Sequence, residues 1–284
     1  MKILVTGGSG QLARAIARFC TDHEVILPDE NVLDLADREA LQRVIRDLRP
    51  EVVINAGAFT QVDRCEVEAE RALLINGTAV GWLAQACTSA NARLVQISTD
   101  YVFNGQGSRP YREDDPVNPQ SVYGRTKYVG EQEARKISEH LILRTAWLYD
   151  AWGNNFRNTM LKLAGEGKSL KVVDDQWGTP TSCRALARQI QAALAAGTRG
   201  TVHATCGGET TWHGFAKEIF RQSALTVDLS SCTTEDFPRP APRPAYSVLS
   251  AQKRQTLGID VMPDWQVALS EVTQEIVPEG VSHV

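Results

Sequence analysis

The sequence predicts an α/β protein in which a doubly wound parallel sheet carries a smaller C-terminal α/β lobe. Three observations predict this fold class. Short aliphatic and β-branched runs alternate with helical patterns through the first half of the chain. These runs are apolar throughout, as in strands that are buried on both faces. A glycine-rich turn joins the first run to the first helix, and right-handed crossovers between successive strands make such a sheet parallel.

The strands and helices of the first half follow from local patterns. Strands are predicted at 3–6, 24–27, 52–55, 94–98 and 141–144. Helical spacing after the first strand is shown by Leu12, Ala15, Ile16 and Phe19. Further helices are predicted at 37–48 before Pro50, at 66–90 with a break near Gly77, and from Pro119 through Tyr123 and Lys127.

The second half of the sequence is less regular. It predicts helices at 155–164, 184–196, 213–222 and 263–276, and strands at 170–173 and 201–204. Thr211 is a good N-cap for the third of these helices. We expect 1–148, with parts of 178–205, to form the large domain, and 149–177 with 206–284 to form the lobe. Ligands of such sheets bind where the strand order reverses.

Composition excludes several classes of protein. The chain is 43% hydrophobic and 23% charged, with a net charge of −4, which argues against nucleic acid as a main partner. No apolar run reaches the roughly 18–20 residues that span a bilayer, so we expect no membrane association. The six cysteines are scattered without zinc-ligand spacing. The chain enters a strand pattern at Ile3 without a signal-peptide core, so we expect a cytoplasmic protein with reduced cysteines.

The glycine-rich turn predicts a dinucleotide site of the Rossmann type. Gly7, Gly10 and Ala13 have the G-x-x-G-x-x-A spacing between a strand and a helix, where a pyrophosphate can meet backbone N–H groups. The acidic partner of a ribose hydroxyl is Asp29 or Glu30, which fit an ordinary exposed loop equally well. Arg14 could favour a 2′-phosphate, although a helix-surface arginine is its simpler role. NADPH and NADH both stay open as the cofactor.

Tyr123 and Lys127 predict an acid–base pair. Four residues apart in a predicted helix, they project from one face. The pKa of a free tyrosine, about 10, is too high for efficient proton transfer near neutrality, and a neighbouring ammonium lowers it. The pair therefore suits protonation of an oxygen as a carbonyl becomes an alcohol, although the spacing alone also fits a solvated helix face.

Further motifs extend over essentially the whole chain. They are Asn55-Ala56-Gly57-Ala58, Ser98-Thr99-Asp100-Tyr101-Val102-Phe103, Arg144-Thr145-Ala146-Trp147-Leu148-Tyr149, Gly153-Asn154-Asn155-Phe156, Asp175-Gln176-Trp177-Gly178-Thr179-Pro180-Thr181, Arg243-Pro244-Ala245-Tyr246-Ser247 and Leu257-Gly258 with Pro263-Asp264-Trp265. With the glycine turn and the Tyr123–Lys127 pair, the chain resembles the extended short-chain dehydrogenase/reductases, and within them the dTDP-4-dehydrorhamnose reductases.

The resemblance implies a reaction, the reduction of the C4 keto group of dTDP-4-dehydro-β-L-rhamnose by NADPH or NADH. This is the last step of dTDP-rhamnose biosynthesis, which serves cell-wall polysaccharide. By the same resemblance, Tyr123 protonates the C4 oxygen and Lys127 holds the cofactor ribose and lowers the tyrosine pKa. Thr99 hydrogen-bonds the carbonyl oxygen, although a hydroxyl capping its own backbone is the alternative.

The resemblance also implies binding residues. For the cofactor they are Gly7, Gly10, Gln11, Leu12, Asp34, Leu35, Ala58, Phe59, Thr60, Tyr123 and Lys127, and for the sugar nucleotide Thr99, Asp100, Trp147 and Arg243. Three of these have structural alternatives. Asp34 could cap the following helix, Trp147 could be a core residue, and Arg243 could lie in a surface Pro-rich linker.

The chain departs from the family pattern at two positions. Ala13 stands where members commonly have a fourth glycine, which could shift the cofactor. Some members bridge a dimer through magnesium held in part by an acidic residue at the position of Ala15, which cannot bind a metal. We therefore expect no metal, and a monomer or weak homodimer.

Two other functions fit the same fold. A nucleotide-sugar epimerase or 4,6-dehydratase is the first, but dehydratases typically place Asp-Glu after the threonine, whereas Thr99 precedes Asp100-Tyr101. A non-catalytic subunit resembling the β subunit of methionine adenosyltransferase is the second. Retention of Thr99, Tyr123 and Lys127 favours an enzyme.

Overall fold

A computed structural model describes residues 1–29 and 31–275 of the chain. The strands are β1 (Lys2–Thr6), β2 (Glu24–Ile26), β3 (Val52–Asn55), β4 (Arg93–Thr99), β5 (His140–Thr145), β6 (Leu148–Tyr149), β7 (Leu170–Val173), β8 (Trp177–Gly178), β9 (Thr181–Ser182), β10 (Gly200–His203), β11 (Thr210–Thr211) and β12 (Leu229–Cys232). The α-helices are α1 (Gln11–Phe19), α2 (Arg38–Leu48), α3 (Val62–Val67), α4 (Ala69–Leu73), α5 (Ala79–Ala90), α6 (Val122–Ala134), α7 (Phe156–Gly165), α8 (Cys183–Ala195), α9 (Trp212–Gln222), α10 (Gln252–Thr256) and α11 (Trp265–Thr273).

The central sheet confirms the predicted doubly wound parallel fold. Its six strands lie in the order β10-β5-β4-β3-β1-β2, and every neighbouring pair is parallel. β2 and β3 flank β1 on opposite sides, so the strand order reverses there. At the carboxyl ends of β1 and β3, the register places Thr6 beside Asn55. Side chains emerging after these strand ends therefore converge on one crevice.

Alternating side chains give the sheet two buried faces. Ile3 and Val5 belong to a core shared with α1 and α8, whereas Leu4 belongs to a second core under α2 and α5. Because both faces of each strand are covered, the strands read as continuous apolar runs in the sequence. The first core continues into α9 and α11 through Phe215 and Trp265. The predicted boundary between domain and lobe stays a prediction.

The predicted helix at 66–90 is more divided than expected. It starts earlier, as α3, and between α4 and α5 it contains a π-helical turn at Leu74–Thr78 that includes Gly77. The side chain of Asn76 within this turn accepts from Phe59 N (2.8 Å) and donates to Phe59 O (3.1 Å) and Thr126 Oγ1 (3.2 Å). These tertiary hydrogen bonds stabilise a turn that no local pattern predicts.

α6 begins at Val122 rather than near Pro119. Ser121 is its N-cap and accepts from Gly124 N at 3.1 Å, while Glu66 of α3 accepts from Val122 N at 2.8 Å. These two contacts fix where the helix starts. Among the described residues, no helix combines the length and the apolar character needed to cross a membrane.

Candidate functional site

A cleft of about 600 Å³ opens where the strand order reverses. Of the residues predicted to bind cofactor or substrate, those that line it are Gly7, Gly10, Gln11, Leu12, Ala58, Thr60, Thr99, Asp100, Tyr123, Lys127 and Trp147. Those that do not line it are Asp34, Leu35, Phe59 and Arg243. The structure therefore brings most of the predicted site into one cavity, and the remaining four residues have other contacts.

The glycine turn packs its backbone directly on a neighbouring loop. Gly7 has a positive φ of 69°, and a Cβ there would lie 2.7 Å from Gly57 Cα, so only glycine fits. Gly10 N donates to Gly7 O at 2.8 Å and Gly10 is the N-cap of α1, where it contributes no side-chain hydrogen bond. The positive end of α1 therefore faces the cleft with backbone N–H groups, which is the arrangement that binds phosphates.

Gln11 has a second role that the motif does not show. Its Nε2 donates to Leu148 O at 3.2 Å, and its Oε1 accepts from Asn155 Nδ2 at 3.2 Å. Asn155 caps α7 by accepting from Asn158 N. The first helix is therefore hydrogen-bonded to the segment that follows the sheet, beside the cleft.

The Tyr123–Lys127 pair lies on the face of α6 that borders β4 and the cleft. Lys127 is buried, and its Nζ donates to Ile97 O at 2.6 Å. Burial lowers the pKa of Lys127 to about 8, and the Glu131 carboxylate acts in the opposite direction. The ammonium is thus held on the strand beside the phenol, one helical turn away.

The predicted lowering of the Tyr123 pKa by Lys127 is wrong. Burial raises the pKa of the phenol well above its ordinary value, and the Asp100 carboxylate raises it further. A hydrogen bond with Thr99 lowers it, but less. Sequence spacing identified the neighbours of the phenol but not the removal of water around it, and that desolvation is the larger effect. Tyr123 is therefore a protonated donor in this structure.

Thr99 and Asp100 form a hydrogen-bonded pair behind the phenol. Thr99 Oγ1 donates to Asp100 Oδ1 at 2.8 Å and accepts from Tyr101 N at 3.2 Å, so the backbone-capping role is also present. Burial raises the pKa of Asp100 to about 6. Tyr101 meets Tyr123 edge to face, with 5.5 Å between ring centroids. These contacts fix the orientation of the phenol from the β4 side.

Trp147 forms one wall of the cleft by stacking on Trp212. The two rings are nearly parallel, with centroids 3.5 Å apart, and Trp147 has a positive φ of 49°. A Cβ on Gly178 would lie 2.5 Å from the Trp147 indole, so this glycine makes room for the ring. Trp212, which lines the same cleft, was missed from the sequence because its position at the start of α9 becomes meaningful only in the fold.

Three residues predicted at the cofactor lie beside the cleft rather than in its lining. Asp34 Oδ1 accepts from Ala36 N at 2.8 Å, while Asp37 caps α2. Leu35 lies against Gly57, since a Cβ on that glycine would be 2.8 Å from the leucine Cδ1. Phe59 packs in a small core with Cys65. Their side chains hold the loops that carry lining residues.

The residues considered for the ribose lie in or near the loop after β2. Asp29 is exposed, and its carbonyl oxygen accepts from Val32 N and Leu33 N. Glu30 lies outside the described residues. Arg14 is exposed on α1.

Arg243 is held outside the lining by an acidic residue of the large domain. Its Nη2 lies 2.9 Å from Asp63 Oδ2, and Asp63 Oδ1 accepts from Ala241 N at 3.2 Å. Burial raises the pKa of Tyr101; Arg243 lowers it and Asp63 raises it further, so both charges lie near that cleft residue. Asp63 was missed from the sequence because its partner lies near the other end of the chain.

No metal site accompanies the cleft in the described part of the chain. Residues 1–29 and 31–275 contain no group of three or more His, Cys, Asp or Glu side chains that could hold a metal ion. Ala15 is buried in the core beneath α1.

The chain is similar to known proteins over nearly its whole length. The model of a family described as RmlD substrate binding domain matches residues 1–277. The spore coat polysaccharide biosynthesis protein SpsK of Bacillus subtilis is 41% identical over 277 residues, which cover 96% of this chain and 97% of that protein. A dTDP-4-dehydrorhamnose reductase of Streptomyces griseus is 41% identical over 278 residues, 94% of this chain and 91% of the relative.

The backbone of the chain is also similar to that of a solved structure. The crystal structure of dTDP-4-dehydrorhamnose reductase from Bacillus anthracis in complex with NADP is similar to this chain with a TM-score of 0.93 and 34% identity. The match covers 96% of this chain and 99% of that one.

Proposed function

Because the chain belongs to the family of the RmlD substrate binding domain, we propose that it reduces the C4 keto group of dTDP-4-dehydro-β-L-rhamnose to give dTDP-L-rhamnose. It is an oxidoreductase that uses NADPH or NADH. The observation that carries the proposal is the convergence of Thr99, Tyr123 and Lys127 on one cleft together with the glycine turn. A relative at 41% identity bears the name of this reductase.

The residues of the cleft fit a dinucleotide. The N-terminal end of α1 offers backbone N–H groups for a pyrophosphate, and Gly7 lets the turn approach the loop at Gly57. Ala58 and Thr60, on that same loop between β3 and α3, line the same cavity as Lys127. When bound, the reduced nicotinamide supplies the hydride that C4 receives. NADP in the Bacillus anthracis structure supports NADPH.

The chain's own residues supply the proton. The O–H of Tyr123 donates to the C4 oxygen, and its raised pKa keeps it protonated until charge develops on that oxygen. The Thr99 hydroxyl assists as a second donor. Because Thr99 donates to Asp100 in this structure, that contact exchanges when the substrate oxygen arrives. Lys127, which lines the same cleft, holds the ribose hydroxyls of the cofactor.

Substrate recognition is assigned to the opposite wall of the cleft. Trp147, stacked on Trp212, presents an aromatic face to the sugar, and Asp100 lies at the floor of the cleft. Arg243, near the lining residue Tyr101, has the fork geometry that suits a diphosphate. Dehydration is disfavoured because Asp100 is followed by Tyr101, which cannot act as a carboxylate base.

The cellular context belongs to the same proposal. A cytoplasmic location is supported by six free and buried cysteines. A monomer or weak homodimer, without nucleic-acid or membrane partners, is the proposed state of the enzyme.

The test is a reaction with authentic substrate. The purified chain, supplied with the dTDP-4-keto-6-deoxy sugar formed enzymatically from dTDP-glucose, should oxidise NADPH in step with the appearance of dTDP-L-rhamnose, identified by NMR. The same reaction with NADH measures cofactor preference. Tight NADPH binding without consumption would instead indicate the regulatory-subunit function.

A further inference from the structure

Glu131 lies one helical turn beyond Lys127 and is completely buried. Its Oε1 accepts from Ser98 Oγ at 2.6 Å and from Arg144 Nε at 2.8 Å. Its Oε2 accepts from Arg144 Nη2 at 2.9 Å and from Arg135 Nη2 at 2.7 Å. A carboxylate with four donors stays ionised in the interior, and the pKa of Glu131 is indeed lowered by Arg144 and Ser98 despite its burial.

The contacts of Glu131 continue those of the acid–base pair. Three successive residues of β4 meet three residues of α6 that are spaced by one turn each. Thr99 is hydrogen-bonded to Tyr123. Ile97 O accepts a hydrogen bond from Lys127, and Ser98 donates one to Glu131. The same carboxylate reaches β5 through Arg144. The catalytic helix is therefore joined to two central strands by a single buried anion.

The electrostatic surroundings of Lys127 include this anion, which lies one turn away on the same helix. The elements packed against α6 also carry other ionisable groups, namely Asp63, Arg64, Cys65, Glu66, Glu70, Arg71, Cys87, Arg93, Asp100, Tyr101, His140 and Arg144. On α6 itself they are Tyr123, Arg125, Tyr128 and Glu133, with Arg135 directly after the helix. Glu131 is the charged group that raises the Lys127 pKa against the effect of burial. An ammonium removed from water needs such a partner to remain charged.

We propose that Glu131 is a positioning residue for the acid–base pair: through Ser98 and Arg144 it fixes α6 on β4 and β5, and its negative charge keeps the buried Lys127 protonated. This inference rests on the proposed function for its catalytic meaning. The effect of Glu131 on the protonation of Lys127 does not depend on which substrate the enzyme uses.

The primary test is the titration of Lys127 in Glu131→Gln. Lysine-labelled protein is titrated by NMR, with the Lys127 resonance assigned by its loss in Lys127→Arg. Removal of the charge should move the Lys127 midpoint down by about one pH unit or more, and Glu131→Asp should keep it near that of the native chain. Glu133→Gln is the matched control, because Glu133 pairs with exposed Lys136 on the same helix and should shift nothing.

A second variant separates charge from folding. Glu131→Gln leaves Arg144 buried and unpaired, which can prevent folding. Glu131→Gln/Arg144→Met removes both charges, so its core holds no uncompensated arginine. The inference predicts a downward shift of the Lys127 midpoint in this double variant too, smaller than in Glu131→Gln because the Arg144 cation is removed with the anion. An unchanged midpoint in every Glu131→Gln variant that folds would overturn the inference.

Turnover adds a readout that distinguishes the two proposals. The alkaline loss of kcat should begin about one pH unit lower in the folded Glu131→Gln variant, which is roughly a fivefold loss relative to the native chain at the pH where native activity is half gone. Absence of reductase activity in the native chain would refute the proposed function, while the NMR midpoint would still decide the role of Glu131. Activity with an unmoved alkaline limb and an unmoved midpoint would refute the role of Glu131 alone.

Discussion

Asp63 and Arg243, 180 residues apart in the sequence, form an ion pair with 2.9 Å between Oδ2 and Nη2. The other oxygen of Asp63 accepts from Ala241 N. One carboxylate thus holds both the side chain and the backbone of a proline-flanked segment against α3. Arg243 therefore does not lie in a free surface linker, which was the alternative prediction. Its segment is anchored beside the cleft residue Tyr101.

Asp63→Asn should weaken binding of the sugar nucleotide. The amide loses the charge that orients the Arg243 guanidinium, so KM for the dTDP sugar should rise about tenfold, with kcat and NADPH affinity within about twofold of native values. Steady-state kinetics and NADPH fluorescence titration measure this split. Arg239→Gln, which removes an arginine 4.0 Å from the same carboxylate, is the control and should change KM little. Equal losses in all three quantities would point to a folding defect.

Tyr123→Phe should lower kcat by roughly 10²–10⁴-fold, because the substituted ring has no proton to donate. NADPH affinity should be nearly unchanged, since Lys127 keeps its contact with Ile97. Tyr128→Phe is a matched control on the same helix, because Tyr128 packs in a separate small core. Native turnover by the Tyr123 variant would remove the tyrosine from the acid role.

Lys127→Met should stabilise the cofactor-free protein while abolishing efficient turnover. The folded pKa of Lys127, about 8, lies below its ordinary value of 10.5. The folded state therefore binds this proton less well, so the charged lysine costs stability below pH 8, and the cost disappears as pH rises from about 8 towards 10.5. We expect a gain of about 2–4 kcal/mol for the variant near pH 7.

Urea unfolding of both proteins between about pH 7 and pH 10 checks the sign of this effect. The difference in free energy of unfolding between variant and native chain should shrink as pH rises. The comparison cancels the contributions of the buried tyrosines and cysteines, which both proteins share. A difference that grows with pH would contradict the lowered lysine pKa.

Gly178→Ala should disturb the aromatic wall. The new methyl would lie 2.5 Å from the Trp147 indole, so the ring must shift from its present stacked position on Trp212. We expect a loss of about 1–3 kcal/mol in stability and a raised KM for the sugar. Thermal unfolding and kinetics measure both. Gly165→Ala, where no atom lies within 4 Å, should leave both near native values, and Gly178→Ala/Trp147→Phe should recover part of the stability.

The sequence predicted the elements whose signal is local. Buried strands such as Val52–Asn55 read as apolar runs, and the glycine turn is recognisable because its backbone geometry admits few residues. Two-residue strands such as Leu148–Tyr149 have too few side chains to show a period. The π-helical turn depends on hydrogen bonds of Asn76 to residues far along the chain, so periodicity alone predicted a simple break.

The site was predictable where residue types carry chemistry and not where tertiary environment decides. Tyr123 and Lys127 were found from spacing, but desolvation reversed the expected pKa of the phenol. Asp63 and Trp212 owe their positions to contacts across the fold. The resemblance to the dTDP-4-dehydrorhamnose reductases is confirmed by the family match over residues 1–277.

Asn76 makes the cleft preorganised. Its amide joins the loop at Phe59, between two lining residues, to Thr126, the immediate neighbour of Lys127. The loop and the catalytic helix therefore cannot drift apart without exposing three buried polar contacts. Little conformational entropy remains to be lost when a ligand arrives, so more of its intrinsic affinity is available for alignment of the reacting groups.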